Sequence, residues 1–134
     1  MTKLNKIIIV DDEENIAEAL KLVVKQINLE PLAFYNADEF INYLKKNDTN
    51  EIILVIMDIM LGGTKSGIDA LKEMQEIDSK IPSVVLTAYA DWNIVDRDKE
   101  FLSTIPVLQK PIDLEKLTKI ITLTQKKRAS VNEK

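Results

Sequence analysis

Five side chains able to handle phosphate or metal fall where apolar runs stop. Asp11 and Asp12 follow KIIIV, Asp58 follows EIILVIM, Thr87 follows SVVL and Lys110 follows PVLQ. Carboxylates brought within a few ångströms of one another raise each other's pKa values or demand a counter-ion. An all-oxygen cluster of this kind suits Mg2+, a hard ion that keeps several waters and takes only a few protein carboxylates. If the strand ends converge, the group reads as a magnesium site beside a cation, Lys110, and a hydroxyl, Thr87. Taken singly, most members have an ordinary alternative: Asp12 as a helix N-cap, Lys110 before Pro111 as a turn lysine, Thr87 as a strand residue. Asp58 is harder to explain away. Aspartate is depleted in strands, and Gly62 and Gly63 intervene before any helix it could cap.

The elements that must position these residues alternate. KIIIV (6–10) and EIILVIMD (51–58) are short, continuous apolar runs, the pattern of strands buried on both faces of a parallel sheet. PLAFY (31–35), SVVLTA (83–88) and PVLQK (106–110) supply three more strands. From Asp12 onward, Ile16, Ala17, Leu20, Val23, Val24 and Ile27 recur at helical spacing behind an acidic first turn. Asn36 with Glu39 three residues on opens a second helix as a capping box, with Phe40, Ile41 and Leu44 on its buried face. A third helix carries Ile68, Leu71, Met74 and Ile77, a weaker pattern covers 91–103, and a fifth helix begins at an Asp113 cap and runs to about 127. Five βα units predict a single α/β domain with a parallel sheet covered on both faces and right-handed crossovers. Residues 128–134 read as a short frayed tail. In such sheets ligands bind beyond the carboxyl ends of the strands, where all five candidate side chains lie.

Composition narrows the chemistry. The 134 residues include no cysteine and no histidine, which excludes disulfides, zinc fingers, thiol nucleophiles and histidine acid/base catalysis. A net charge of −4 argues against nucleic acid as a partner, and the basic cluster Lys126, Lys127, Arg128 fits a helix C-terminus. No apolar run approaches the roughly 18 to 20 residues that span a bilayer, and the N-terminus turns acidic where a signal peptide needs its apolar stretch, so a cytoplasmic location and no membrane partner are expected.

In order and at compatible spacings, IIIVDDE, VIMDIML, Gly67, VVLTAYA and VLQKPID resemble the receiver domain of two-component response regulators, the CheY-like domains, over residues 5–127. The resemblance implies a doubly wound, flavodoxin-like sandwich with strand order 2-1-3-4-5. It implies that Asp58 accepts a phosphoryl group from a sensor histidine kinase or histidine phosphotransfer domain. Mg2+ would be held by Asp11, Asp12, Asp58 and the backbone carbonyl of Met60. Lys110 would pair with the phosphate, the Thr87 hydroxyl would swing toward it, and the Lys110–Pro111 peptide would be cis. Output is expected through protein contacts at the surface of the fourth helix, fifth strand and fifth helix, in a monomer or phosphorylation-dependent dimer. Within 134 residues there is no room for an output domain, so the chain is expected to act by contacts, to relay phosphate, or to be a segment of a larger regulator or hybrid kinase.

Three features depart from or refine the family pattern. Val107 replaces the usual aromatic three residues before the lysine, leaving Tyr89 as a substitute in the switch. Gly62 replaces the usual proline four after the acceptor, and Gly67 lies one residue later than usual, which lengthens the loop and makes it more flexible. Met60 and Tyr89, two residues after Asp58 and Thr87, are bulky and are expected to shield an aspartyl phosphate from water. The rival functions are a pseudo-receiver binding module without phosphotransfer, and a Mg2+-dependent phosphohydrolase with an aspartyl nucleophile. The second would need its nucleophile after the first strand, where this chain has DDEEN. A flavodoxin-type cofactor binder is disfavoured because acids replace the phosphate-binding loop.

Overall fold

The computed structural model describes residues 4–62, 65–88 and 92–132. Five parallel strands, β1 (Lys6–Val10), β2 (Glu30–Phe34), β3 (Ile52–Asp58), β4 (Ser83–Thr87) and β5 (Val107–Gln109), form one sheet in the order β2-β1-β3-β4-β5. Among the described residues six α-helices connect and flank them: α1 (Glu14–Gln26), α2 (Ala37–Lys46), α3 (Gly67–Ile77), α4 (Trp92–Arg97), α5 (Lys99–Leu102) and α6 (Leu114–Asn132). A short 3-10 turn, Thr49–Glu51, takes the first residue of the expected third strand.

Alternation along the strands sorts the core into two layers. Ile8, Val10, Val55, Met57 and Val85 meet Phe40, Ile41 and Leu44 of α2 and Leu71 and Met74 of α3. Ile7, Ile9, Ile56, Val84 and Leu86 meet Ala17, Leu20 and Val24 of α1 and Leu117 and Ile121 of α6. Every residue of β3 is buried, as a central strand covered on both faces requires. Full burial of each such aliphatic side chain stabilises by about 1.5–3 kcal/mol, so the central strands form a stiff base for whatever their ends carry.

The structure differs from the sequence reading at several ends. Asp12 is not the N-cap of α1; Glu13 holds that position without a side-chain bond, and the Glu13 N–H instead donates to Asp11 Oδ1 at 2.9 Å. Asn36 does cap α2, accepting from the Glu39 N–H at 2.8 Å, and Asp113 Oδ1 accepts from the Lys116 N–H at 3.1 Å. From residue 92 on, the weak pattern over 91–103 is two short helices on either side of Asp98, whose carboxylate pairs with Arg97 and Lys72 while its backbone keeps i→i+4 bonds to Ile94 and Leu102. Residues 128–132, read from sequence as part of a tail, continue α6, and the guanidinium of Arg128 donates to the Lys80 carbonyl at 2.7 Å; residues 133 and 134 lie outside the described residues.

Candidate functional site

The ladder that builds the sheet runs on into the site. Asp11 N–H donates to the Phe34 carbonyl at 3.1 Å, Ile59 N–H to Leu86 at 3.0 Å and Lys110 N–H to Thr87 at 2.7 Å. Backbone pairing therefore fixes Asp11 and Lys110 themselves, and Asp58 through the bonded residue after it. Gly67 completes the frame from below, since a Cβ there would overlap the Asp58 carbonyl oxygen; only glycine lets α3 start this close to the end of β3.

Asp11, Asp58 and Thr87 are buried polar residues, and Asp58 is 3% exposed. Lys110 Nζ stands 3.5 Å from Asp11 Oδ2, 3.5 Å from Asp58 Oδ2 and 4.0 Å from Glu13 Oε1. One oxygen from each of Asp11, Asp12 and Asp58 lies within 4.8 Å of the others. Burial first, and then the neighbouring Asp11 charge, push the Asp58 carboxyl up to about 7, against the opposing pull of Lys110 and the Met60 N–H. Burial alone would lower Lys110, but the charges of Asp58, Asp11 and Glu13 outweigh it and raise its pKa. The arrangement thus holds more negative charge than one lysine compensates.

That imbalance is the test of whether a divalent ion fits. Asp11 Oδ2 is buried and accepts no hydrogen bond among the described residues, although it borders the site. Its one charge partner there is the Lys110 ammonium at 3.5 Å, which is shared with Asp58, and two buried carboxylates on one lysine leave room for a cation shared with Asp12 as well. Oxygen-only donors match Mg2+, so the residues fit the ion.

Of the residues singled out from sequence, Asp11, Asp12, Asp58, Thr87 and Lys110 gather at this edge, and the Lys110–Pro111 peptide is cis. Met60 touches Asp58 through its N–H, at 3.3 Å from Oδ1, and its side chain is 49% exposed on the rim. Val107 is 38% exposed on β5. Tyr89 and Gly63 lie outside the described residues. Sequence reasoning missed two contacts. Glu13, read only as a first-turn acid, faces Lys110, and the Gly62 N–H donates to Asp12 Oδ2 at 3.2 Å. The acidic run DDE signalled the first; nothing local signals the second.

Known proteins resemble this chain in the same terms. The response regulator receiver domain family matches residues 7–122. Sporulation initiation phosphotransferase F of Bacillus subtilis is 29% identical over 112 residues, spanning 84% of this chain and 86% of its own. The regulatory protein AtoC of Escherichia coli is 31% identical over 123 residues, spanning 90% of this chain, which matches only 25% of the length of AtoC. A response regulator receiver domain protein from Clostridium thermocellum superposes with a TM-score of 0.82 at 24% identity, over 96% of this chain and 99% of that one, a likeness of fold.

Proposed function

This chain belongs to the response regulator receiver domain family, a family of phosphorylation-dependent signalling domains, and from that premise we propose that Asp58 is its phosphoryl acceptor. The donor is a phosphohistidine on a histidine kinase or histidine phosphotransfer protein. One Asp58 oxygen attacks phosphorus, a P–O bond forms as the P–N bond breaks, and the electron pair returns to the donor imidazole. The observation that carries this reading is a buried carboxylate at the end of the central strand with a lysine ammonium 3.5 Å away and two further acids beside it.

Phosphoryl transfer asks the protein for positioning and for charge neutralisation more than for covalent chemistry. Lys110 supplies a fixed cation facing the acceptor oxygen, and it favours the ionised Asp58 that attack requires. Asp11, Asp12, Asp58 and the Met60 carbonyl would hold Mg2+, which when bound neutralises charge on the transferring oxygens. The Thr87 hydroxyl turns toward the new phosphate, which adds about 1.5 to 2 negative charges and fresh acceptors at the end of β4. Output passes to partner proteins through the face of α4, α5, β5 and α6, the fourth helical pattern, fifth strand and last helix of the sequence. An exposed valine at position 107 means that this surface changes without an aromatic rotamer there.

Incubation with Mg2+ and acetyl phosphate, followed by intact mass, tests the reading. One phosphoryl adduct is expected on the wild-type chain and none on Asp58→Asn. Absence of an adduct across several small donors and a phosphorylated phosphotransfer domain would leave a binding module without phosphotransfer.

A further inference from the structure

The loop after β3 is one place where this chain leaves the family pattern, with Gly62 in place of the usual proline. Proline has no amide hydrogen. Gly62 has one, and it donates to Asp12 Oδ2 at 3.2 Å, joining two loops fifty positions apart in sequence. Asp12 is exposed, and among the described residues its carboxylate makes no other hydrogen bond or ion pair. Asp11 and Asp58, by contrast, are buried and fixed by their strands. Asp12 is therefore the loose member of the acidic group, and one backbone N–H holds it.

We infer that the Gly62 amide is a positioning group for the divalent cation: it fixes Asp12 in the arrangement that keeps its carboxylate within reach of Asp11 and Asp58. This rests on the Mg2+ site proposed above. A carboxylate offers about four lone-pair sites, so the N–H bond leaves acceptors free for a metal. An exposed aspartate must otherwise give up rotamer freedom when it becomes a ligand, and the tether removes part of that cost in advance. Donors that orient a metal's carboxylate ligands are commonly worth about 10- to 100-fold in affinity. A single bond at 3.2 Å on an exposed loop belongs near the bottom of that range.

Coupling of this kind is reciprocal: if the bond favours the ion, the ion favours the bond. The Gly62 amide is then held more firmly against Asp12 as the cation binds, before the donor arrives.

Two Gly62 variants and one measurement on the wild-type chain decide the matter. Gly62→Ala keeps the N–H, and its Cβ would meet Asp12 Oδ2 at an ordinary 3.5 Å, so its Mg2+ affinity by calorimetry should stay within about twofold of wild type. Gly62→Pro deletes the donor and should bind Mg2+ about three- to tenfold more weakly. In the wild-type chain, hydrogen exchange at the Gly62 amide should slow when Mg2+ is added. That measurement stands alone if the proline variant does not fold. Equal affinities for all three proteins, or exchange at Gly62 that is unchanged or faster with Mg2+, would overturn the inference and leave the metal site standing. A wild-type chain that binds no Mg2+ would overturn both.

Discussion

Asp58 concentrates the conflict in this molecule. Its strand is fully buried, and its carboxyl is pushed up to about 7 by burial and by the charge of Asp11. The consequence for stability has a definite sign. The folded state holds this proton more tightly than the unfolded chain, whose aspartate titrates near 3.8. The stabilisation linked to the proton is therefore complete below about pH 4 and is lost as pH rises through about 7. Asp58→Asn has no proton to lose. In EDTA, its stability relative to wild type should grow from near zero at pH 4 to roughly 1–3 kcal/mol at pH 8, less than the full shift implies because Lys110 loses a partner. Denaturant unfolding at intervals across that range reads the difference, and a difference independent of pH would mean that Lys110 already neutralises Asp58. The residue types of this site were legible because each polar side chain ends an apolar run. The tether from Gly62 was not, since a hydrogen bond to a carboxylate fifty positions away leaves no local trace.

At the scale of elements, the loops hold what the periodicity of the strands and helices does not express. Between Asp58 and the apolar positions of the third helix lies a helix start that apolar spacing does not mark. Ser66 Oγ accepts from the Asp69 N–H at 3.1 Å while Asp69 Oδ2 accepts from the Ser66 N–H at 3.2 Å. This is a reciprocal capping box, with aspartate in the place usually given to glutamate or glutamine. The box fixes the start of α3, and with it the approach of Gly67 to the Asp58 carbonyl. Ser66→Ala should cost about 1 kcal/mol, with the fastest increase in amide exchange at residues 66–69 and little change in β1. Uniform acceleration across the sheet would show that the cap acts on global stability alone. Elsewhere the shortfall has another cause. The Asp98 carboxylate between α4 and α5 pairs with Lys72, and Arg128 in the last turns of α6 reaches the Lys80 carbonyl. Apolar spacing reports neither, because both are polar contacts between distant segments.

For the whole molecule, the strand order explains why one edge can carry so much charge. The chain leaves β1 toward β2 on one side and returns to β3 on the other, so the loops after β1 and β3 diverge and open a crevice above the strongest part of the core. Order and layering were legible from five apolar runs and helical spacing, because burial on both faces of a parallel sheet leaves a plain pattern. A cost at this edge is then borne by the cooperative unit as a whole, since β1, β3 and β4 belong to both core layers. An ion that binds only the folded chain should recover it. At a free concentration ten times its dissociation constant, such an ion adds about 1.4 kcal/mol, which raises Tm by roughly 3–5 °C for a domain of this size. Wild type at pH 8 should therefore melt in one transition that Mg2+ moves upward. Asp58→Asn should start higher and respond less, because it has already lost the charge the ion offsets. A wild-type Tm indifferent to Mg2+, beside a raised Tm in Asp58→Asn, would leave the carboxylate cluster as repulsion that Lys110 alone must carry.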